Sequence, residues 1–516
     1  MGTTNYSNLL NQKSTKFFSD ASNLNQPETN NDNLNDISEK IQLKVSINQI
    51  NKGCIYKVLL FTIINNEKKA LNEIGNCTQV DNVTTNLNIP IIIRYYFEKH
   101  QPLFVEILKI NSNYTNKYQI KTTLGCIMGS RKNKLEKKIS TMENEILILQ
   151  AEKLNQNEDI INVKFEISSN TMVSYKEIKN KMYYEIYSEK NILYRSECLN
   201  NQGIFNPVKI PVILFKNNNI IVIFYKSNRR KRGTFNLNIE EFTNGNSFIN
   251  IRVNGTYFHI LSKSMLTKNY TFVDYLKAGV QIGLSIAIDF TNSNGNPNNV
   301  RSLHYINGPE PNQYERAINS CGNILAYYDY DQLFPCFGFG AKIDHKFSQL
   351  FNLNFEENPN INYIQNIIET YHNSIKKVEL YGPTLFGPII RKVIEMIKEE
   401  NDKTKYNILM ILTDGIIDDI DNTIEELVEA SFLPLSVIII GVGNADFSSM
   451  VALDADENPL INSKDVMAAR DLVQFVPFLK YESNPEKLAN EVLAEIPRQI
   501  IEYYEQNNLD PIKLVN

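Results

Sequence analysis

The sequence predicts a multidomain chain in which two antiparallel β-sandwiches precede a doubly wound α/β domain. Its 516 residues suffice for about three domains of ordinary size. Up to about residue 268, short apolar runs of strand length succeed one another with polar turns between them and no helical stretch, the pattern of antiparallel sandwiches. Beyond Thr271, strand-like runs alternate with amphipathic stretches of helical period, which is how a parallel sheet covered by helices reads. With 42% apolar and 22% charged residues the chain can bury ordinary cores, and global disorder is excluded.

Taken in order, residues 1–38 are polar and rich in Asn, Ser and Asp, with nothing to offset the entropy of ordering, so a disordered tail is expected there. Gly2 raises N-myristoylation, but that motif wants Ser or Thr at position 6, where Tyr6 stands with Ser7 after it. Residues 39–141 carry IQLKVSINQI, CIYKVLLFTII, IPIIIRYYF, PLFVEILKI and YQIKTTLGCIM, which make a first sandwich. Residues 142–268 open on EILILQAEKL and continue through DIINVKFEIS, MYYEIYSEK, FNPVKIPVILF, IIVIFYKS and TFNLNIEEF, which make a second. The α/β domain occupies 269–508. Its strands are expected at 283–289, 335–339, 407–413 and 435–442, and its helices at 313–328, 360–377, 385–400, 421–430 and 485–506, the last kinked or interrupted at Pro497.

No stretch approaches the ~20 apolar residues of a spanning helix, and the start lacks a charged region followed by an apolar core, so a cytosolic chain is expected. Six cysteines without a C-x-x-C pair or a nearby His suggest neither zinc nor disulfides. The balance of 53 Lys+Arg against 58 Asp+Glu, net −5, argues against nucleic-acid binding by bulk charge.

The chemistry concentrates at strand ends of the α/β domain. The first strand closes on Asp289-Phe290-Thr291-Asn292-Ser293, a D-x-T-x-S run on the carboxyl edge where open α/β sheets hold ligands. Gly382-Pro383-Thr384 opens a later helix, and Leu412-Thr413-Asp414-Gly415 closes the next apolar strand. Asp289 alone reads as a turn or helix cap. Three such fragments in this order, each at an element's end, read as one site of hydroxyls and carboxylates, the donors a small hard cation such as Mg²⁺ prefers. With only two carboxylates, a bound ion keeps enough charge to accept an acidic group from a partner.

This order resembles the metal-ion-dependent adhesion site of von Willebrand factor type A domains. The wider text, with AIDFTNSNG, YGPTLFGPII, ILTDGIIDDIDNTIEELVEAS, LPLSVIIIGVGNADF and VLAEIPRQIIEYYEQ, resembles the type A domain of copines, and does so over 271–506. Copines carry two C2-type sandwiches ahead of that domain, in the order read above. The resemblance implies Asp289, Thr291, Ser293, Thr384 and Asp414 as metal-coordinating positions for Mg²⁺ or Mn²⁺, the hydroxyls directly and one or both carboxylates through water. It also implies a peripheral membrane adaptor in the cytoplasm, bound to anionic phospholipid, whose type A domain recruits acidic protein partners.

The calcium chemistry of that family departs here. Calcium-binding C2-type loops use several Asp side chains, because Ca²⁺ takes six to eight oxygen ligands. The matching loops of the first sandwich, 46–57 and 110–118, contain no acidic residue. In the second, 168–181 offers only Glu177, with Lys181 where a ligand Asp is expected, and 225–234 reads YKSNRRKRGT. Lys181, Lys226, Arg229, Arg230, Lys231 and Arg232 are therefore candidates for direct contact with anionic headgroups, each worth roughly 1 kcal/mol near an acidic surface. A solvated loop or a nuclear-localisation-like run is the plainer reading of the same residues.

The competing class is an α/β enzyme of nucleotide or phosphate chemistry. Gly441-Val442-Gly443-Asn444 lacks the third Gly of a dinucleotide loop, and no G-x-x-x-x-G-K-[ST] occurs. That run and Phe337-Gly338-Phe339-Gly340 read as tight turns after strands. The five dispersed His suggest no nucleophilic catalysis, and no Cys/His ladder of a RING finger follows the α/β domain. The expected role is binding, not catalysis.

Overall fold

The computed structural model describes residues 38–64, 67–71, 75–79, 83–87, 91–141, 144–154, 159–167, 182–188, 191–196, 198, 205, 207–217, 220–226, 231–237, 246–253, 256–454 and 459–515. The expected disordered tail at 1–38 lies outside them except for Ser38. The chain forms two compact units. One comprises Asp32–Asn155 with Tyr270–Asn516, and the other holds Gln156–Asn269.

In the first unit the N-terminal strands are antiparallel throughout. Strand Ser38–Asn48 has alternating burial, with Ile41, Leu43, Val45 and Ile47 inward, as a period of two requires. Pro102–Ile110 alternates in the same way, burying Leu103, Val105 and Ile107. Strand Ile146–Lys153, which spacing assigns to the start of the second sandwich, instead pairs antiparallel with Ser38–Asn48 from Ile41↔Lys153 to Asn48↔Ile146. Its Leu147, Leu149 and Ala151 complete the first core. It also pairs antiparallel with Lys134–Lys138 just before it, so the boundary expected at 141/142 falls after this strand, whose apolar face fills the first core.

The α/β part of this unit is built on a mixed sheet. Gln281–Asp289 lies between Leu333–Ile343 and Lys405–Thr413, both parallel to it, and Leu435–Gly441 and Val473–Pro477 extend the parallel order. Lys346–Asn352 adds an antiparallel edge strand. Ile282, Leu284, Ile286 and Ile288 of the central strand pack on one face in a core with Gln313–Leu325, Ile364–Ser374, Pro485–Leu493 and Ile496–Gln506. Ala287 faces a separate core with Gly387–Glu400 and Ile420–Ala430. Helices thus cover both faces. The last helical stretch is interrupted, as expected, into Pro485–Leu493 and Ile496–Gln506, with Pro497 in the first turn of the second, where its missing N–H costs nothing. The run Phe337–Gly340 is not a turn but the middle of Leu333–Ile343. Gly338 leaves room for the Phe351 ring, and Gly340, at φ +75°, leaves room for the Thr291 methyl.

The first sandwich and the α/β part share one apolar core. Phe97 packs on Phe272 and Tyr328, the hydroxyls of Tyr95 and Tyr328 lie 2.5 Å apart, and the Tyr327 ring fills the space left by Gly125. Glu39 accepts from the Thr271 hydroxyl at 2.7 Å and from the Val273 N–H at 3.2 Å.

Among the described residues the second unit holds two four-stranded antiparallel sheets. Phe165, Tyr184, Phe205 and Phe224 form the aromatic centre of its core, with edge-to-face contacts at 4.9–5.7 Å. Among the described residues Cys54, Cys126, Cys321 and Cys336 are free thiols.

Candidate metal centre

Asp289 ends the central strand and Thr413 and Asp414 end its parallel neighbour, at the point where the chain switches from one side of the sheet to the other. The loop after Asp289 is pinned beside the third fragment: Thr291 forms an isolated parallel bridge with Tyr381, and Asn292 N–H donates to the Tyr381 carbonyl at 2.8 Å.

The three fragments meet. Thr291 and Ser293 hydroxyls are 2.9 Å apart, and Ser293 donates to Asp414 Oδ1 at 2.8 Å. Thr384 Oγ1 lies 2.9 Å, and Ser293 Oγ 3.8 Å, from where a Cβ on Gly415 would stand, so Gly415 leaves the cradle in which these hydroxyls converge. Asp289, Thr291, Thr384 and Asp414 are buried, and Ser293 is exposed at the mouth.

The two carboxylates are held differently. Asp289 accepts at both oxygens, from Thr291 N–H at 2.8 Å and from the Thr413 hydroxyl at 2.5 Å. Asp414 Oδ1 accepts from Ser293 and from the Asn294 amide at 2.9 Å. Burial raises both pKa values; it pushes the Asp414 carboxyl up to about 7, with the negative Asp289 adding to the rise. Hydroxyls and amides soften that cost without cancelling the charge. No group of three His, Cys, Asp or Glu arranged for a metal occurs among the described residues, so this centre rests on hydroxyls as much as on acids.

Four supporting residues escaped the sequence reading. Asn294 links Asp414 to Tyr314, whose hydroxyl donates to Asn294 Oδ1 at 2.6 Å. His304 Nε2 lies 2.8 Å from the Asp289 carbonyl, which only accepts, so Nε2 carries the proton. Its Nδ1 then accepts from Tyr371 at 2.7 Å, and burial lowers its pKa to about 3, so it stays neutral. Asp418 takes the Thr384 N–H at 2.7 Å, and Asp419 caps the following helix through Phe386 and Gly387 N–H at 2.9 and 3.0 Å. Asp418 and Asp419 are visible in sequence as an acidic pair after T-D-G, whereas Asn294 and His304 look like any loop residues.

Of the cationic candidates, Lys181, Arg229 and Arg230 lie outside the described residues. Ile220–Lys226 and Lys231–Leu237 pair antiparallel, with Lys226 ending one strand and Lys231 opening the next; Lys231 is exposed, and Arg232 follows it in the strand. At the matching end of the first sandwich, Lys109 Nζ lies 2.6 Å from Glu145 Oε1, both side chains 1% exposed, and Tyr56 donates to the same oxygen at 2.8 Å. The glycines of the weighed nucleotide loop serve packing: Gly441 makes room for Phe447, and Gly443 N–H donates to Gln313.

The carboxyl edge of this α/β sheet is lined by hydroxyls and carboxylates. Residues 302–512 match the Copine family model, so the chain carries a copine domain; the match includes Thr384 and Asp414 and begins after Asp289, Thr291 and Ser293. Among solved structures the chain is similar to the manganese-loaded TRAP protein of Plasmodium vivax, at 15% identity and TM-score 0.27, over 43% of this chain and 73% of that one. It is similar to the SpRpn10 VWA domain at 13% identity and TM-score 0.28, over 42% and 97%. The paired C2 domains of Extended-Synaptotagmin 2 match at 8% identity and TM-score 0.18, over 48% and 98%. Among the described residues no helix is long and apolar enough to cross a membrane.

Proposed function

We propose that this protein is a copine-like, non-enzymatic peripheral adaptor. Its two sandwiches act as C2-like modules that address an anionic phospholipid membrane from the cytoplasm, and its α/β part acts as a type A domain that captures an acidic protein through Mg²⁺ or Mn²⁺. The supporting observation is the convergence of Thr291, Ser293 and Thr384 hydroxyls on two buried carboxylates. Asp289, fully engaged by Thr291 and Thr413, suits contact through water, and the three hydroxyls suit direct contact. A bound divalent ion supplies the positive charge that this edge lacks and a position for a partner's carboxylate.

The matching loops of the sandwiches offer calcium no comparable set of carboxylates in their sequence. In the first sandwich the cation beside the buried Glu145 is Lys109, and in the second the matching loop is basic. Membrane binding through these sandwiches is therefore proposed to be weakly dependent on Ca²⁺ or independent of it.

The test is capture of partners from a lysate by the intact protein and by Asp289→Ala, in Mg²⁺ and in chelator, with Mn²⁺ binding measured on the same samples. Capture that needs the metal and is lost in the folded variant supports the reading. Capture unaltered by both treatments refutes it.

A further inference from the structure

The strand Gln281–Asp289 ends between two neighbours of unequal reach. On one side Leu333–Ile343 runs parallel to it with Phe339 level with Asp289, so Gly340, Ala341, Lys342 and Ile343 continue beyond the carboxyl edge, and Lys346–Asn352 returns antiparallel with Phe347 opposite Lys342. On the other side Lys405–Thr413 stops at the edge, where Leu412 is level with Ile288, and Asp414, Gly415 and Ile416 follow at once. The candidate metal centre thus lies beside a projecting hairpin. Tyr381 is fastened to both: its N–H donates to the Gly340 carbonyl at 3.1 Å, and its backbone bridges Thr291.

Three large apolar side chains stand exposed around this edge. Tyr381 is 49% exposed and Phe347 40% on the hairpin side, and Ile416 is 58% exposed one residue past the Gly415 cradle. Scattered singly they would be ordinary. Tyr381 and Phe347 are instead neighbours, with ring centroids 5.9 Å apart, and Lys342 Nζ lies 3.9 Å over the Tyr381 ring, which holds that ring in place before any partner arrives. The ammonium does not make the hairpin basic, because Lys342 lies 3.5 Å from Glu379, and Lys346 is offset by Asp344. Beyond Ile416 come Asp418, Asp419 and Asp421, and residues 270–516 as a whole carry 18 Lys+Arg against 35 Asp+Glu. Such surroundings repel a run of acidic residues.

We infer that this edge selects a partner segment in which a single carboxylate is flanked by bulky apolar side chains, and rejects an acidic tract. The inference rests on the metal-dependent capture proposed above and names the chemistry of what is captured. The carboxylate goes to the site lined by Thr291, Ser293 and Thr384; one apolar neighbour packs on Tyr381 and Phe347, and the other on Ile416. Apolar contacts supply affinity without adding negative charge to an edge that already holds two buried acids. With an aromatic pair on the hairpin side and an aliphatic side chain opposite, the two flanks are unlike, and that difference sets the direction in which the segment lies.

The experiment is selection of a random peptide library displayed on phage against the immobilised full chain in Mn²⁺, with release by chelator. Released clones are expected to carry one Asp or Glu beside aromatic or long aliphatic residues. Synthetic peptides of their sequence are expected to lose affinity about ten-fold or more for the Phe347→Ser/Tyr381→Ser variant, with Mn²⁺ affinity unchanged. Tyr381→Phe keeps the ring and is expected to bind as wild type. Clones made of acidic runs, or peptides that bind the double variant as tightly as wild type, overturn the inference and leave metal-dependent capture standing. If chelator releases no enriched clone, both fall. Where the double variant loses Mn²⁺ as well, Ile416→Ser, on the side away from the Thr291 contact, decides: peptide affinity reduced at unchanged Mn²⁺ affinity supports the inference, and unchanged peptide affinity overturns it.

Discussion

Two ends of this molecule bury carboxylates, and they handle the charge in opposite ways. In the first sandwich, Glu145 is neutralised from within by the Lys109 ammonium and held by the Tyr56 hydroxyl. At the α/β edge, Asp289 and Asp414 receive hydroxyls, an amide and a backbone N–H, and burial raises their pKa values. The difference teaches where an external cation has work to do. An internal lysine closes a site, and a ring of hydroxyls leaves it open to one. The sharpest way to break this comparison is Lys109→Met, which strands a buried carboxylate. Chemical denaturation is expected to show a loss of about 3–5 kcal/mol, with most of it recovered in the Lys109→Met/Glu145→Gln double variant. A loss below about 1 kcal/mol removes the contrast.

The converse change at the α/β edge carries opposite signs for metal and for stability. A carboxyl raised from its ordinary value to about 7 favours its protonated form in the fold, so its contribution to the metal-free domain is fully present below pH ~4 and is lost as pH rises through about 7. Asp414→Asn removes that loss. The metal-free variant is expected to be more stable than wild type at pH 7.5 by about 1–3 kcal/mol, while its Mn²⁺ affinity falls by roughly a hundred-fold. In the wild type, Mn²⁺ affinity rises with pH through about 7, because the ion displaces a proton. A pH-independent affinity, measured by calorimetry between pH 6 and 8, contradicts this account.

Much of this edge was legible in the sequence because its donors sit in short motifs at strand ends, where a period of two and a following turn fix position locally. Asp289, Thr291, Ser293, Thr384 and Asp414 come together as D-x-T-x-S, Thr and T-D-G imply, and the helices and parallel strands around them follow their apolar periods. What holds those donors was not legible. Asn294 reaches Asp414 across 120 residues, and Thr413 reaches Asp289 across 124. Contacts of that span depend on three-dimensional packing, and Asn in an Asn-rich chain carries no local signal. The strand Ile146–Lys153 was misplaced although one partner, Lys134–Lys138, lies just before it; its other partner, Ser38–Asn48, lies about a hundred residues earlier. Asn294→Ala is a smaller lever on the contrast: with Asp414 no longer held, Mn²⁺ affinity is expected to fall about ten-fold at unchanged pH dependence. An unaltered affinity shows that Ser293 alone suffices to place Asp414.

The smallest expected effect concerns what joins the two ends. Tyr95 and Tyr328 meet through their hydroxyls inside the apolar contact between the first sandwich and the α/β part, 233 residues apart in sequence. Both hydroxyls are buried, so each depends on the other for its hydrogen bond, and either single change to Phe leaves its partner unsatisfied. Tyr328→Phe is expected to cost about 1–2 kcal/mol, and Tyr95→Phe a similar amount, whereas the double variant costs less than the sum, because two apolar rings replace one matched polar pair. The decisive readout is the number of thermal transitions. One compact unit with a shared core predicts that the closed sandwich and the open metal edge melt together in wild type and in each variant, with added Mn²⁺ raising the melting temperature of both. If Mn²⁺ shifts only one of two separable transitions, the two ends are energetically independent, and the stability lost in Lys109→Met will leave metal binding untouched.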